Sequence, residues 1–333
     1  MLIRFGLIGC GRIGRMHARN IAAHPMAQLV VCHDLIADAA EACASELGAE
    51  TAPSVDALLG ADIDAVFIAS ATDTHVDLIT RSVQAGKAVL CEKPVDLDMR
   101  RVEACEREIG SLASRVMLGF NRRFDASFQA LRNRLLAGEI GTLEQVVITS
   151  RDPEPPSPRF IATSGGLFRD LTIHDFDMAR YLAGDIVEVQ AIGANLIDPA
   201  IKEAGDIDAA MIIMRAASGA LVHINNSRRC AYGYDQRLEV FGSGGMLQAQ
   251  NQHPTTVEVW NGECTHAQDR VPHFFIDRYA DAYRAEIGHF VDCLSNGKPF
   301  LAGFTEGKAA LQLADAALAS LASGRVETVE HGR

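Results

Sequence analysis

The sequence lacks several features that mark particular classes of protein. None of its apolar runs approaches the roughly 20 residues that a membrane-spanning helix needs. It has no block of Lys and Arg, and 43 acidic residues against 31 basic ones give a formal net charge of −12 at pH 7. The chain therefore offers no basic surface for nucleic acid or for an anionic membrane, and we expect a small molecule as its partner.

The eight cysteines lack C-x-x-C spacing, and most lie in apolar segments such as VLCEKP. They are typical of buried thiols in a reducing cytosol, so we expect a cytoplasmic protein. A secretion signal is not expected, because the N-terminal segment LIRFGLIGCG has Arg4 within its apolar run and no small-residue cleavage site follows. We interpret this segment as the first strand.

With 333 residues, 48% of them hydrophobic, the chain is long enough for about two domains. Over residues 1–120, continuous apolar runs alternate with helical spacing, which predicts an α/β Rossmann domain with a doubly wound parallel sheet. Over residues 121–333, strand-like runs follow one another closely, and AASGA and GSGG are typical of hairpin turns. This second domain is expected to be α+β, with a mostly antiparallel open sheet and late helices at about 274–295 and 304–323. The last helix could return to pack on the first domain.

Residues 9–14 form the motif G-x-G-x-x-G, which follows the first strand and opens a helix. In this context the glycines permit a tight turn, close approach of a pyrophosphate and close helix–strand contact, with the phosphates at the helix N-terminus. Asp34 ends the second strand twenty residues after Gly14, where a carboxylate binds both ribose hydroxyls and repels a 2′-phosphate. Because Leu35 and not Arg follows it, NAD is favoured over NADP as the cofactor. The alternative, a plain turn with a strand-end cap, leaves the order of strand, turn, helix and acid unexplained.

Other cofactor contacts are expected where later parallel strands end, because their carboxyl ends face the same crevice. The segments IASATDTH (68–75) and CEKP (91–94) stand at such ends. The expected cofactor-binding residues are Gly9, Gly11, Arg12, Ile13, Gly14, Asp34, Ser70, Ala71, Thr72, His75, Glu92 and Lys93.

Three residues are candidates for catalysis. Lys93 ends an apolar strand directly before Pro94, which restricts its backbone, so its side chain can position a substrate hydroxyl. A solvated strand-end lysine is the alternative. In GGLFRDLTIHDFDMARYL (165–182), Asp170 and His174 are four residues apart and would share one face of a helix. Alternatively, they are a helix cap and a packed histidine.

A second reading of this segment moves the start of the helix. Residues 172–175 match a T-x-x-D capping box, which would start the helix at Thr172 and leave Asp170 in the preceding turn.

The motifs GCGRIG, CEKP and GGLFRDLTIHDFDMARYL together resemble those of the Gfo/Idh/MocA family of oxidoreductases, over nearly the whole chain. E-K-P and D-x-x-x-H, in this order and about eighty residues apart, are far more specific than the glycine motif. The segments GFNRRFD (119–125), SRDPEPP (150–156) and AYGYDQRLEVFG (231–242) resemble the substrate side of family members that oxidise inositols.

This resemblance implies NAD-dependent oxidation of a ring alcohol, myo-inositol to scyllo-inosose, by a homotetramer built through the sheets of the second domains. It implies that Lys93, Asp170 and His174 are catalytic. It also implies a cofactor contact from Arg122 and polyol contacts from Lys93, Arg122, Asp152, Asp170, His174 and Tyr234.

The chemistry of these side chains agrees with that reaction. An alcohol that loses a hydride must also lose its hydroxyl proton, and a neutral imidazole such as that of His174 accepts a proton near pH 7. Asp170 can fix the imidazole tautomer or bind a neighbouring hydroxyl, and Lys93 can stabilise the developing alkoxide. The nicotinamide would carry the redox step.

The sequence leaves several alternatives open. A related polyol or aldose dehydrogenase would use the same motifs, whereas a non-catalytic NAD-binding sensor should have lost a catalytic side chain. Arg122 and Arg123 could be a solvated pair, and Tyr232 and Tyr234, on one face of a possible strand, could only pack. A metal site is not expected, because no second histidine has ligand spacing and NAD accounts for the redox chemistry.

Overall fold

The computed structural model describes residues 1–329, with the side chains of residues 158 and 162 left out. The described chain divides into two compact units. The first comprises Met1–Phe124 and Asp281–Leu311, and the second comprises Asp125–Ala280 and the chain from Gln312 onward. Residues 330–333, the end of the predicted second domain, lie outside the described residues.

The first unit contains a six-stranded parallel sheet. Its strands are β1 (Ile3–Ile8), β2 (Ala27–His33), β3 (Glu50–Thr51), β4 (Ala65–Ile68), β5 (Ala88–Cys91) and β6 (Val116–Leu118), in the order β3-β2-β1-β4-β5-β6. Every residue of β4 and β5 is buried, so both faces of the sheet are covered, which explains their continuous apolar sequence. The strand order reverses between β1 and β4, where doubly wound sheets bind their ligands.

Helices connect successive strands of this sheet. They are α1 (Arg12–Ala23), α2 (Ala37–Leu47), α3 (Val55–Leu59), α4 (His75–Gln84) and α5 (Met99–Ile109). In α1 the buried positions follow a helical face, with Gly14, His17, Ala18 and Ile21 turned inward. The predicted doubly wound α/β fold is confirmed.

The second unit is built on a seven-stranded sheet. Its strands are β7 (Leu143–Arg151), β8 (Ile186–Ala194), β9 (Ala209–Ala216), β10 (Leu221–Ser227), β11 (Asp235–Gly242), β12 (Gly245–Ala249) and β15 (Glu327–Thr328); β13 (Glu258–Val259) and β14 (Ala267–Gln268) form a separate pair. The order is β12-β11-β7-β10-β9-β8-β15. The β7–β10 pair is parallel and the other pairs are antiparallel, which confirms the predicted mostly antiparallel sheet. The predicted hairpin turns join β9 to β10 and β11 to β12.

The remaining helices are α6 (Ala126–Leu136), α7 (Pro158–Ser164), α8 (Gly166–Asp170), α9 (Thr172–Ala183), α10 (Pro199–Glu203), α11 (Phe275–Arg278), α12 (Ala280–Asn296) and α13 (Phe304–Ser323). The helix predicted at about 274–295 is divided at Tyr279, whose φ of −112° and ψ of 17° end α11. The Tyr279 hydroxyl donates to Gln236 Oε1 at 3.1 Å. Helix α9 packs on β7, β8 and β10, which fixes the segment carrying His174 against the large sheet. No helix within residues 1–329 is long and apolar enough to cross a membrane.

The opposite face of the large sheet is exposed and carries several large apolar side chains. Strands β9 and β10 alternate between buried and exposed positions, as a sheet covered on one face does. The exposed side chains of this face include Ile192 (70% exposed), Met211 (51%), Ile213 (56%) and Leu221 (44%). We call these four residues the apolar sheet face.

Candidate active site

The glycine motif lies between β1 and α1. Gly9 has a φ of +93°, and a Cβ there would lie 2.6 Å from the backbone of Ala69. A Cβ at Gly14 would lie 1.9 Å from the carbonyl oxygen of Gly9, so a side chain at either position would clash with backbone. At Gly11, by contrast, no described atom lies within 4 Å of an added Cβ. This open position at the start of α1 leaves room for a phosphate group.

Asp34 directly follows β2 and ties it to the glycine motif. Its Oδ2 accepts a hydrogen bond from the backbone N–H of Cys10 at 2.7 Å, and its Oδ1 accepts one from Ile36 at 2.8 Å. Since a carboxylate has about four acceptor positions, both oxygens can still accept hydrogen bonds from ribose hydroxyls. The exposed Leu35 offers no cation for a 2′-phosphate.

These residues border a cavity of about 310 Å³. Five of the predicted cofactor residues line it: Gly9, Gly11, Asp34, Ser70 and Ala71. Val55 and Leu78, apolar lining residues supplied by α3 and α4, were not predicted from the sequence. Apolar walls beside the Asp34 carboxylate and an open position at Gly11 fit a dinucleotide.

Other predicted cofactor residues are close in the chain to the residues that line this cavity. Arg12 and Ile13 begin α1, and Thr72 lies in a short 3₁₀ turn after β4. His75 is buried, with Nδ1 2.7 Å from the carbonyl oxygen of Pro94 and Nε2 3.2 Å from that of Ser70. Burial lowers the pKa of His75, which favours the neutral ring. His75 therefore links the loop after β4 to the loop after β5, and its direct contact with the cofactor stays a prediction.

The E-K-P segment follows β5. Lys93 is half-buried, and its backbone N–H donates to Glu92 Oε2 at 3.2 Å. The other oxygen of Glu92 lies 3.4 Å from His17 Nε2 on α1. The Glu92 carboxylate thus lies between the backbone of the E-K-P segment and α1, and its contact with His17 is not a hydrogen bond.

Arg122 and Arg123 lie in a 3₁₀ turn, Asn121–Phe124, and both are buried. Arg123 Nη1 donates to the carbonyl oxygen of Leu301 at 2.5 Å. Burial excludes a solvated arginine pair, so the alternative interpretation of these residues is wrong.

In the second unit, Asp170 and His174 lie on consecutive helices. Asp170 ends α8, and His174 lies in the first turn of α9, which begins at Thr172. The predicted capping box does not form, because the Thr172 hydroxyl donates to Asn226 Oδ1 at 2.7 Å and Asn226 Nδ2 donates to Asp175 at 2.8 Å. Side chains that could cap the helix therefore attach it to β10. Helix α9 starts at Thr172, as the second interpretation of this segment predicts, and Asp170 precedes it.

Arg228, which the sequence analysis missed, brings Asp152 and Asp170 together. It is fully buried directly after β10, and its Nη1 donates to Asp170 Oδ2 at 3.2 Å and lies 3.8 Å from Asp152 Oδ2. Its Nη2 lies 3.8 Å from Asp206 Oδ2. One guanidinium thus faces three carboxylates, which leaves this part of the second unit with acceptors for substrate hydroxyls. The signal available in the sequence was that Arg228, like Lys93, stands at the end of an apolar strand.

Tyr232 and Tyr234 have different surroundings. They precede β11 and are separated by Gly233 at a φ of +123°, so the predicted shared strand face is wrong. Tyr234 is buried, and its ring meets that of Tyr279 edge-on at 6.0 Å. Tyr232 is exposed and donates to Asp235 Oδ2 at 2.6 Å; partial burial and this carboxylate raise the pKa of Tyr232 to about 12.

The eight cysteines are free in the described chain, and all but Cys264 are buried. Within residues 1–329, one group has the spacing of metal ligands: Cys10, Cys32 and Cys43, with sulfur atoms within 4.8 Å of one another. Clustered buried thiols also pack as small apolar side chains. None of the three is among the predicted site residues.

Two family models match the chain. Residues 3–120 match an oxidoreductase family with an NAD-binding Rossmann fold, and residues 128–248 match the GFO/IDH/MocA C-terminal domain.

Individual proteins match over almost all of both chains. An inositol 2-dehydrogenase from Rhizobium meliloti (strain 1021) is 48% identical over 327 residues, 98% of this chain and 98% of the relative. The crystal structure of a myo-inositol dehydrogenase from Corynebacterium glutamicum ATCC 13032 has a TM-score of 0.96 and 50% identity, and the match covers 100% of each chain. That of a scyllo-inositol dehydrogenase from Lactobacillus casei, with bound NAD(H) and scyllo-inositol, has a TM-score of 0.91 and 31% identity over 99% of each chain. With a dinucleotide-binding Rossmann unit and relatives of this kind along its whole length, the chain belongs to the Gfo/Idh/MocA family of NAD-dependent oxidoreductases.

Proposed function

We propose that the chain is an NAD-dependent inositol 2-dehydrogenase, which oxidises myo-inositol to scyllo-inosose. The observation that carries the proposal is the position of Arg228, whose guanidinium faces Asp152 and Asp170 next to the helix of His174. Two carboxylates and an imidazole supply the acceptors that a ring rich in hydroxyls requires. Similarity to inositol dehydrogenases over nearly the whole chain supports an inositol as the substrate.

In this proposal, Lys93, Asp170 and His174 act on one hydroxyl. The His174 imidazole accepts the hydroxyl proton as the carbon–oxygen double bond forms. Asp170, oriented by Arg228, holds the imidazole or an adjacent hydroxyl, and the Lys93 ammonium stabilises the negative charge that develops on oxygen. NAD, when bound, takes up the hydride from the ring carbon.

Further contacts set the orientation of the ring. Asp152 is half-buried beside Arg228 and accepts a hydrogen bond from a second hydroxyl. We assign polyol contacts to Arg122 and Tyr234 as well, and Arg122 also contacts the cofactor. The nearly complete burial of both side chains suits them to a fixed rather than an adaptable geometry.

We also propose that the protein is a cytoplasmic homotetramer. The apolar sheet face needs a cover, and a second copy of the chain provides one. The free thiols suit a reducing compartment, and the net charge of −12 disfavours nucleic acid and anionic membranes as partners.

The test is a substrate panel with both NAD and NADP. Purified protein is mixed with myo-inositol, scyllo-inositol, chiro-inositol or glucose, and NADH formation is followed by absorbance. We expect the highest kcat/KM with myo-inositol and NAD, together with a keto-inositol product in mass spectra. Absence of NADH with every inositol would refute the proposal. His174→Ala is the control, because it should bind NAD with unchanged affinity and form no NADH.

A further inference from the structure

Three buried polar side chains form a row across neighbouring strands of the large sheet. Ser150 on β7, Asn226 on β10 and Gln236 on β11 are each at most 2% exposed. The strands are adjacent in the order β11-β7-β10, and Asn226 and Gln236 both lie opposite Ser150 in the register. We call these three residues the polar row. It lies on the buried face of the sheet, where apolar side chains are the rule.

Hydrogen bonds join the members of the polar row. Asn226 Nδ2 donates to the carbonyl oxygen of Ser150 at 3.2 Å, and Gln236 Nε2 donates to the Ser150 hydroxyl oxygen at 3.1 Å. Gln236 Oε1 accepts the hydroxyl of Tyr279 at 3.1 Å. A displaced member would leave a buried donor or acceptor unpaired, which is costly. These bonds therefore hold the row in one geometry.

Asn226 also bonds to the first turn of α9 on both sides of His174. Its Oδ1 accepts the Thr172 hydroxyl at 2.7 Å, and its Nδ2 donates to Asp175 Oδ2 at 2.8 Å. Thr172 and Asp175 are both 0% exposed, so water does not compete for these bonds. His174 lies between them in the chain, and its side chain is half-buried. One amide thus fixes the helix at the residues that flank the proposed proton acceptor.

The polar row is also close in the chain to other residues of the candidate site. Each of its members is two residues from one of them: Ser150 from Asp152, Asn226 from Arg228, and Gln236 from Tyr234. Alternate residues of an extended chain share a face. The row therefore borders the part of the candidate site that lies in the second unit.

We propose that Asn226 is a positioning residue, which fixes the first turn of α9 and thereby the direction in which the His174 imidazole meets the substrate hydroxyl. This inference rests on the proposed function, in which His174 accepts the proton of that hydroxyl. An amide suits the position because it accepts from Thr172 and donates to Asp175 at the same time. A leucine would offer neither bond, and an aspartate would place a second carboxyl group beside Asp175.

The test changes each partner of the hydrogen bond between Thr172 and Asn226. Thr172→Val removes the hydroxyl with little change of shape, whereas Thr172→Ser keeps the hydroxyl. Asn226→Leu removes both the donor and the acceptor. Asn225→Leu, the same change at the neighbouring half-buried position of β10, is the matched control. Circular dichroism confirms that each variant is folded, and if Asn226→Leu does not fold, the two variants of Thr172 decide alone.

We expect Thr172→Val and Asn226→Leu to lower kcat by about tenfold or more, because small displacements of a catalytic group have effects of this size. Their KM for inositol should stay within about twofold of wild type, as for a loss confined to the transition state. Thr172→Ser and Asn225→Leu should keep the wild-type kcat.

The double variant Thr172→Val with Asn226→Leu should lose no more activity than Asn226→Leu alone, since both changes break the same bond. Wild-type kcat in Thr172→Val and Asn226→Leu would overturn the inference. Losses of kcat that multiply in the double variant would also overturn it, because the two side chains would then act independently.

A second readout does not require turnover. Diethyl pyrocarbonate acylates imidazoles, and its labelling of His174 is followed by mass spectrometry with the exposed His266 as internal reference. The labelling rate should change at least about twofold in Thr172→Val and Asn226→Leu but not in Thr172→Ser or Asn225→Leu. An unchanged rate in all variants would contradict the inference. Wild-type protein that oxidises no inositol would instead contradict the proposed function, and the labelling rates would still decide whether Asn226 positions His174.

Discussion

Arg228 is a buried cation that three carboxylates of the second unit share. The acids Asp152, Asp170 and Asp206 each lie within 3.8 Å of its guanidinium. Without that guanidinium they would repel one another, and Asp170 would lose the group that orients it. Arg228 therefore contributes both to stability and to the geometry of the site.

We expect Arg228→Met to lower the free energy of unfolding by about 3 kcal/mol, the usual effect of removing one partner from a buried ion pair. It should also lower kcat/KM by about 100-fold or more, because Asp170 is no longer held. Arg228→Lys should have effects of intermediate size on stability and activity. An ammonium keeps the charge but not the planar arrangement of N–H donors that a guanidinium has. Denaturant unfolding measures the change in the free energy of unfolding, and steady-state kinetics measure the change in kcat/KM. Arg229→Met, at the next and exposed position, is the control. Equal losses of stability and activity in the two Met variants would contradict the role of Arg228.

Burial raises the pKa of Glu286 on α12 well above its usual range, which makes stability depend on pH in a defined direction. The stability contributed by its protonated form is fully present below the pKa of the unfolded chain, about 4.3, and is lost as pH rises through the higher folded pKa. Glu286→Gln cannot ionise, so its Tm should rise relative to wild type as pH increases. Thermal unfolding at a series of pH values checks this. A constant Tm difference across the series would show that the pKa of Glu286 is not raised in the folded protein.

Some residues of the candidate site could be found from sequence because their neighbours in the chain signal them. Asp34 follows a strand at the distance that the glycine motif predicts, and Lys93 precedes a proline. Arg228 directly follows a strand as Lys93 does, but no residue near Arg228 or Glu286 in the chain indicates which groups surround them. Their surroundings are formed by residues far away in sequence, such as Asp152 for the one and Glu92 for the other.

At the scale of elements, the strand–turn–helix unit around the glycine motif has two kinds of glycine. A side chain at Gly14 would clash with the backbone of Gly9, whereas one at Gly11 would meet open space. The φ of −69° at Gly11 is also accessible to alanine. The first kind of glycine is required for packing, and we propose that the second is required for ligand binding.

We therefore expect Gly14→Ala to lower the Tm or prevent folding, because the helix must move away from the strand. Gly11→Ala should keep the wild-type Tm and weaken NAD binding by about tenfold or more, since a methyl group occupies the space reserved for the pyrophosphate. Thermal unfolding and fluorescence titration with NADH separate the two effects. Wild-type NADH affinity in Gly11→Ala would contradict this assignment.

The boundary between α8 and α9 shows where local patterns stop predicting structure. Thr172 and Asp175 have the spacing of a capping box, but Asn226 on β10 bonds to both side chains. A partner more than fifty residues away thus replaces the local hydrogen bonds that the pattern predicts. In the first unit, by contrast, continuous apolar strands and helical spacing were sufficient to predict the doubly wound α/β fold, although not the two-residue strand β3 or the short helix α3.

At the scale of the whole molecule, the apolar sheet face is the surface that most needs a partner. A charge placed in its centre would lose its hydration if two such faces pack together. We expect wild-type protein to have four times the chain mass of 35.9 kDa by light scattering. Ile213→Glu should shift it to dimers or monomers. Leu136→Glu, at an exposed apolar position on α6, is the control and should leave the mass unchanged. A monomeric wild type would refute the homotetramer.

In the proposed reaction, the protein removes a hydride from the C2 position of myo-inositol and transfers it to NAD. The most direct test is the reaction of myo-inositol that carries deuterium at C2, with the nicotinamide and the ketone product analysed by mass spectrometry and NMR. We predict one deuterium at C4 of the reduced nicotinamide and none in the scyllo-inosose. Reduced cofactor without deuterium, or a product that retains deuterium, would contradict the proposed reaction.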